Sequence, residues 1–291
     1  MKEFEKDKGL VLIADGGSTR TDWGLACGSD LVMRLSSAGM NPYFQTAAEM
    51  EAILKASVLP ELGDRRIESL YFYGAGCGSA AKNAAMAACM AACFNAPAQV
   101  ESDMLGAARG LLGMRRGIAC ILGTGSNSCL YDGRGIIDQV PAMGFILGDE
   151  GSGASLGKLL LGEHFKRNLS VRMSARLLTE WGATQADVLE HTYSRPFPSR
   201  YLAGFAPFLR ENLHEPEIRA LVLEAFRSFL ERNVLKYAGY AAEPLCFAGS
   251  IAYHFADVLR AAARSLSLKI AAIEQSPMEG LARYHAFWRD H

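Results

Sequence analysis

A duplicated segment constrains the fold of this chain more than any other feature. The first copy, LVLIADGGSTRTDWGLACGSDLVMRLSSA, runs from Leu10 to Ala38 and has the pattern strand, glycine turn, strand, turn, strand. The second copy, GIACILGTGSNSCLYDGRGIIDQVPA, begins at Gly117 and repeats that order. A chain of 291 residues is long enough for two domains, so the repeat predicts one structural unit that is used twice.

The glycine turn of the first copy has the composition of a phosphate-binding turn. The apolar run LVLI leads into Asp15, and the two glycines that follow are expected to adopt φ angles closed to other residues. Such a turn exposes backbone N–H groups, to which hydroxyl groups and an arginine are added here. Asp15 is suited to hold Mg²⁺, usually through water. The candidate phosphate-binding residues are Gly16, Gly17, Ser18, Thr19 and Arg20.

The second copy carries an equivalent turn. Its candidate phosphate-binding residues are Gly123, Thr124, Gly125 and Ser126. Two hairpins of this kind suggest a nucleotide gripped between two domains, which is an arrangement used where a γ-phosphoryl group is transferred.

The motifs of the two copies resemble those of a known family. ADGGSTRTDW and ILGTGSNS, followed by MGFILGDEGSGASLG, are similar to the N-acetylglucosamine kinase group within the BadF/BadG/BcrA/BcrD ATPase family. That family is part of the sugar kinase, heat-shock protein and actin superfamily. The resemblance covers nearly the whole chain, and GTGSN followed by GDEGS is far more specific than either glycine turn alone.

This resemblance implies an α/β fold of two ribonuclease H-like (actin-like ATPase) domains with an interdomain cleft. The first domain would comprise residues 1–115, completed by the C-terminal helix 276–291, and the second would comprise residues 116–275. The resemblance also implies an ATP-dependent kinase that uses Mg²⁺. Its acceptor would be the 6-hydroxyl of N-acetylglucosamine or of a close relative.

Asp103 is the candidate catalytic base. It follows a predicted strand, Pro97 to Glu101, and ligands of open α/β sheets bind beyond such strand ends. Asp103 also matches the aspartate that the resembled kinases use as catalytic base. On the residues alone, an aspartate at this position is equally well explained as the N-cap of the next helix.

The resemblance further implies a set of sugar ligands. On the residues alone, Asn41 is equally a turn residue before Pro42. The animal members carry Gly-Gly-Trp before the glycine-rich loop, whereas this chain has AMGF at 142–145, so recognition of the acetamido side of the sugar is left open. The implied sugar ligands are Asn41, Asp103, Thr124, Gly144 and Asp149.

Two later segments resemble parts of the nucleotide site in the same family. LAGFAPFL is similar to the helix that lies along the adenine, which makes Ala203 a candidate nucleotide contact. A helix packed on the core explains this segment nearly as well. In LCFAGSIAYHF, Gly249 and Ser250 resemble the adenosine motif, where small residues let the backbone approach the nucleotide.

Composition excludes several other classes of protein. The 30 basic and 31 acidic residues balance, and without a basic run no nucleic-acid partner is expected. The start MKEFEKDKG lacks the apolar centre of a signal peptide, and the alanine-rich run from Ala84 to Phe94 is too short to span a bilayer. We interpret that run as a closely packed buried helix. The 7 cysteines do not describe a disulfide framework, which indicates a reducing cytoplasm.

One alternative function rests on the loop GAGCGS. The family also contains dehydratase activators, which are ATPases that energise a partner protein and hold an iron–sulfur cluster between two subunits. Cys77 would be the candidate ligand, but no obvious exposed second cysteine accompanies it. The favoured partner is therefore a small-molecule amino sugar. A homodimer is one option for the oligomeric state, which the sequence does not settle.

Overall fold

The structure is a computed structural model that describes residues 9–17, 19–42 and 44–290. The strands are β1 (Leu10–Gly16), β2 (Arg20–Cys27), β3 (Asp30–Ala38), β4 (Ile67–Gly74), β5 (Ala98–Ser102), β6 (Gly117–Leu122), β7 (Ser126–Tyr131), β8 (Ile136–Asp138), β9 (Leu245–Ala248) and β10 (Ile270–Glu274).

The helices alternate with these strands in the first half of the chain and dominate its second half. They are α1 (Ala47–Ser57), α2 (Leu59–Leu62), α3 (Ala80–Phe94), α4 (Asp103–Leu112), α5 (Gly144–Leu147), α6 (Gly153–Phe165), α7 (Val171–Trp181), α8 (Gln185–Tyr193), α9 (Pro198–Ala203), α10 (Ala206–Glu211), α11 (Pro216–Arg232), α12 (Ser250–His254), α13 (Ala256–Ser265) and α14 (Met278–Asp290), with a 3-10 helix at Val234–Lys236. Within the described residues, none of these helices is long and apolar enough to cross a membrane.

The chain divides into two compact units. The first unit is formed by the chain up to Arg115, by Asp132–Ile136 and by the segment from Ser276 onward. The second unit is formed by Arg116–Tyr131 and Ile137–Gln275.

Both sheets have the same topology, as the duplicated sequence predicts. The strand order is β3-β2-β1-β4-β5 in one sheet and β8-β7-β6-β9-β10 in the other. In each sheet the first strand of the repeat pairs antiparallel with the next strand of its hairpin and parallel with a strand from later in the chain. The predicted α/β class, with one unit used twice, is confirmed.

The core of the first unit is built from apolar residues of its central strands and from one face of α1 and α3. Thr46 caps α1 through a capping box with Glu49, so this helix begins as its sequence predicts. The prediction that Ala84 to Phe94 is a closely packed buried helix is wrong in part. Only Met86, Met90 and Phe94 of α3 are buried, because small alanines cover the outward face and leave it in solvent.

Helix α14 packs on α4 in the first unit through glycine. A Cβ on Gly280 would lie 1.7 Å from the carbonyl oxygen of Gly110, so the two backbones approach too closely for any side chain. The C-terminal helix is thereby held against the helix that begins at Asp103.

His285 of α14 is buried in the first unit. Its ring stacks on Tyr71 with centroids 3.6 Å apart, and its Nε2 lies 2.9 Å from the hydroxyl of Tyr73. Arg109 donates a hydrogen bond to the same hydroxyl at 3.1 Å. Burial, and after it the charge of Arg109, lower the pKa of His285 to about 3. The folded protein therefore keeps this histidine neutral in a range where an unfolded chain protonates it.

The substitution His285→Gln is predicted to make the protein less sensitive to acid. Only the unfolded chain takes up a proton here between pH 6.5 and about 3, so wild-type unfolding free energy falls as pH drops through this window. The extra loss is about 1.4 kcal/mol per pH unit, and the variant escapes it. Urea unfolding of both proteins at about pH 7.5 and about pH 5.5 measures the difference. If wild type and variant lost the same unfolding free energy between these pH values, the result would contradict a buried, neutral His285.

Helix α6 crosses α9 in the second unit at another glycine. A Cβ on Gly157 would lie 1.9 Å from the carbonyl oxygen of Leu202, whereas a Cβ on Gly162 of the same helix would meet no atom within 4 Å. The contact at Gly157 fixes α9, and with it Ala203, against α6.

The pair Gly157→Ala and Gly162→Ala separates packing from helix propensity. Overpacking predicts that Gly157→Ala lowers the unfolding free energy by about 2 kcal/mol. Alanine's helix preference predicts that Gly162→Ala raises it by about 0.5–1 kcal/mol. Chemical denaturation of both variants beside wild type checks the signs. An equal response at the two positions would show that the backbone approach at Gly157 is not limiting.

Candidate active site

Two carboxylates meet at one edge of the first sheet. Strands β1, β4 and β5 are parallel, and Gly16, Gly74 and Ser102 lie side by side where these strands end. Asp15 precedes that row on β1, and Asp103 follows it on the other side as the first residue of α4. The sheet register therefore brings both residues to the edge where ligands of such sheets bind.

The environment of Asp15 favours its neutral form. Burial raises the pKa of Asp15 to about 7, and the charges of Asp103 and Asp22 add to this shift. Burial also raises the pKa of Asp103, although hydrogen bonds from backbone N–H groups act in the opposite direction. Like charges close together and away from water are costly, so this pair is suited to a cation or to proton transfer.

The N-cap alternative for Asp103 is settled by the geometry of α4. The hydroxyl of Ser102 accepts a hydrogen bond from the N–H of Leu105 at 3.2 Å, so Ser102 is the cap. Asp103 is the first helical residue, and its Oδ1 accepts from the N–H of Met104 at 2.8 Å. The helix N-terminus thus orients this carboxylate at the strand edge.

Asn41 lies in the same unit against the glycine loop that follows β4. Its side chain is buried, and its backbone N–H donates to Oε1 of Gln45 at 2.9 Å. A Cβ on Gly76, whose φ is +80°, would lie 2.5 Å from Oδ1 of Asn41. Glycine is therefore required in the loop for the asparagine to occupy this position.

Cys77 in that loop is a poor candidate for a cluster ligand. Its side chain is buried, and its Sγ contacts the sulfur of Met86 at 4.0 Å. Burial, and after it the charge of Asp103, raise the pKa of Cys77 to about 12, so the thiol stays protonated. A metal cluster needs an accessible thiolate, and this environment disfavours one.

The first glycine turn differs from expectation in its conformation. Neither Gly16 nor Gly17 adopts a positive φ. Gly16 is required for space, because a Cβ there would lie 2.5 Å from the ring of Phe72. Arg20 forms an ion pair with Asp22 at 2.7 Å, Thr19 is exposed, and Ser18 lies outside the described residues. Gly16 is therefore needed because a side chain has no room beside Phe72, and not because its backbone is left-handed.

In the second unit the turn between β6 and β7 is held by the start of α6. The N–H of Gly123 donates to the carbonyl of Gly125 at 2.9 Å and closes the turn. The carbonyls of Gly123 and Thr124 accept from the N–H groups of Gly153 at 2.8 Å and Ala154 at 3.1 Å. These backbone hydrogen bonds hold the turn against the start of α6.

The same turn has fewer available donors than its sequence suggests. The N–H of Ser126 donates to Oδ1 of Asp149 at 3.1 Å, and that of Gly123 is used within the turn. Within the described part of the chain, the N–H groups of Thr124 and Gly125 make no hydrogen bond. These two amides are thus the donors of the turn that are available to a ligand.

A cavity of about 320 Å³ opens beside this turn, entirely within the second unit. It brings together four predicted nucleotide contacts, which are Gly123, Thr124, Ala203 and Ser250. Further lining residues that the sequence interpretation missed are Ala206, Pro207, Arg210, Ile251, His254 and Phe255.

Helical spacing could have found two of the missed residues. Arg210 lies one turn beyond Ala206 on α10, and His254 lies one turn beyond Ser250 on α12. Gly249 has a φ of +113°, and a Cβ there would lie 2.3 Å from the carbonyl of Leu122, so the residue permits a close backbone approach.

Two predicted sugar ligands of the second unit, Gly144 and Asp149, lie before α6, whereas the third, Thr124, lies in the turn between β6 and β7. Gly144 begins the short helix α5 with a φ of +71° and does not line the cavity. Asp149 is buried, with an unusual φ of +56° for a non-glycine residue. Burial raises the pKa of its carboxyl group, while the hydrogen bond from Ser126 opposes the shift.

Comparison with known proteins places this architecture in a family. No protein-family model and no curated protein matches the chain. Among solved structures, a Porphyromonas gingivalis protein provisionally named N-acetylglucosamine kinase shares 44% identity at a TM-score of 0.92, with 95% of this chain and 99% of that chain covered. This similarity extends over both units.

More distant structures show the same fold. A Chromobacterium violaceum protein with the same provisional name has 20% identity and a TM-score of 0.72, with 95% of this chain and 99% of that chain covered. A ROK family glucokinase from Streptomyces griseus, crystallised with glucose and AMPPNP, has 15% identity and a TM-score of 0.61, with coverages of 97% and 100%. The actin-like ATPase fold is thereby confirmed, and the 44% identity shows that the chain belongs to the N-acetylglucosamine kinase group of the BadF/BadG/BcrA/BcrD ATPase family.

Proposed function

We propose that this protein is an ATP-dependent kinase that phosphorylates the 6-hydroxyl of N-acetylglucosamine or of a closely related amino sugar. The observation that carries this function is the pair of partly buried carboxylates at the edge of the first sheet, with Asp103 oriented by the start of α4. The name of the Porphyromonas gingivalis relative supports the choice of sugar. The two units would be its ATPase domains, residues 1–115 with 276–291 and residues 116–275, in a cytoplasmic enzyme.

The cavity of the second unit is the proposed nucleotide site. Its apolar walls, formed by Ala203, Ile251 and Phe255 among others, suit the adenine ring. The amides of Thr124 and Gly125 would then donate to phosphate oxygens. The turn of the first unit at Gly16–Arg20 is the other proposed phosphate-binding turn.

The donor set around Asp15 fits Mg²⁺. The described residues contain no group of three or more His, Cys, Asp or Glu side chains that could hold a metal. Mg²⁺ commonly keeps several waters and binds one or two carboxylates together with substrate phosphates, so a single aspartate suffices. A bound Mg²⁺ would neutralise phosphate charge and relieve the repulsion that, after burial, raises the pKa of Asp15.

Asp103 would act as the catalytic base. The sugar oxygen bonds to the γ-phosphorus, the bond from this phosphorus to the β–γ bridging oxygen breaks, and ADP leaves. Asp103 takes the proton of the hydroxyl. A carboxylate is adequate because the transition state is loose and positioning matters more than base strength. The proposed sugar ligands are Asn41, Asp103, Thr124, Gly144 and Asp149.

A panel of sugars tested for coupled ADP release examines the function directly. N-acetylglucosamine, glucosamine, N-acetylmannosamine, N-acetylmuramic acid and glucose would each be added to the enzyme with ATP and Mg²⁺. We expect the highest kcat/KM for N-acetylglucosamine or another amino sugar, with ADP release that depends on the sugar. ATP hydrolysis that no sugar stimulates would contradict the kinase.

The substitution Asp103→Asn is predicted to lower kcat by at least ~100-fold with little change in ATP affinity, because the amide cannot accept the proton. Coupled ADP release measures kcat, and AMPPNP titration measures nucleotide binding. Asp64→Asn, at an exposed aspartate of the same unit, is the matched control and should keep full activity. Near-normal turnover of Asp103→Asn would remove Asp103 from this role.

A further inference from the structure

Each residue of the segment GDEGS, residues 148–152, makes a close contact, a hydrogen bond or an ion pair with its surroundings. A Cβ on Gly148 would lie 2.0 Å from the carbonyl of Ala142, and Ser152 caps α6 by accepting from the N–H of Ser155 at 3.1 Å. Glu150 forms an ion pair with Arg232 of α11. We call residues 148–152 the brace.

The middle of the brace is shaped by left-handed backbone. Gly151 has a φ of +70°, and a Cβ there would lie 3.0 Å from Cβ of Phe229. Asp149 has a φ of +56°, a conformation that costs a non-glycine residue free energy but that aspartate tolerates better than most. Its surroundings hold Asp149 in this conformation.

The side chain of Asp149 points at the nucleotide turn. Its Oδ1 accepts from the N–H of Ser126 at 3.1 Å, and its Oδ2 lies 3.0 Å from where a Cβ on Gly125 would be. The carboxylate therefore lies directly over the turn that presents the amides of Thr124 and Gly125. A residue that binds only sugar has no need of this contact.

We propose that Asp149 is a positioning residue that couples the sugar site to the nucleotide turn. This inference rests on the proposed function, which makes Asp149 a sugar ligand. A sugar hydroxyl bound to this carboxylate fixes its orientation, and the carboxylate in turn fixes the N–H of Ser126 and the adjacent amides. Sugar then raises nucleotide affinity, and nucleotide raises sugar affinity by the same factor.

The test is the ratio of AMPPNP affinities measured by calorimetry with and without saturating N-acetylglucosamine and with Mg²⁺ present. Wild type should bind AMPPNP at least ~5-fold more tightly with the sugar. Asp149→Gly accommodates the left-handed φ and removes the carboxylate, so this ratio should fall to about 1. Asp149→Asn keeps an oxygen acceptor for Ser126 and the same φ preference, so it should retain most of the coupling.

Two further variants keep the result decisive. Gly125→Ala places a methyl group against Oδ2 of Asp149 and should reduce the coupling without substituting any residue of the brace, including where Asp149→Gly fails to fold. Glu190→Gln, at an exposed surface pair with Arg195, is the control and should couple as wild type does. Thermal melting separates these effects from loss of folding.

Each outcome has one meaning. The positioning role is overturned if Asp149→Gly and Gly125→Ala, or whichever of them folds, couple as strongly as wild type does. It is also overturned if the wild-type enzyme phosphorylates the sugar but binds AMPPNP equally well with and without it. Wild-type protein that binds neither AMPPNP nor any sugar of the panel refutes the proposed function itself. Loss of coupling in the glycine variant and its recovery in the asparagine variant support the inference.

Discussion

The parallel pairing of β1 with β4, and of β4 with β5, is the constraint on which the site of the first unit depends. This pairing aligns the ends of three strands and so sets Asp15 near Asp103, although they are distant in sequence. The arrangement costs free energy, since two carboxyl groups share a poorly hydrated edge. The packing of the surrounding sheet and of α4 against α14 offsets this cost. The negative charge that remains at the edge can be relieved by a bound cation.

Much of the architecture follows from the sequence because the local signals agree with one another. The duplicated hairpin predicts both sheets, and capping residues such as Thr46 and Ser152 begin the helices that follow them. The sequence motifs also named residues that lie together, since Ala203 and Ser250, some 50 residues apart, line one cavity with the turn at Gly123. Motif order was informative there because each motif occupies a fixed place in the topology.

What the sequence could not supply was mostly tertiary geometry. Gly16 reads as a residue chosen for its φ angle, yet the ring of Phe72 is the reason that only glycine fits. Ser126 reads as a phosphate donor, yet its N–H is already bound by Asp149. Arg210 and His254 lie one helical turn beyond Ala206 and Ser250, but the packing of α10 and α12 is what brings them to the cavity.

The closure of the first unit by the segment from Ser276 onward has a consequence for synthesis on the ribosome. The second unit is complete at Gln275, before α14 has been made. The strands that carry Asp15 must therefore wait, without their helical partner, while the later part of the chain emerges and folds. The docking of α14 is thus a late step of assembly, and the glycine contact between Gly280 and Gly110 is among the last to form.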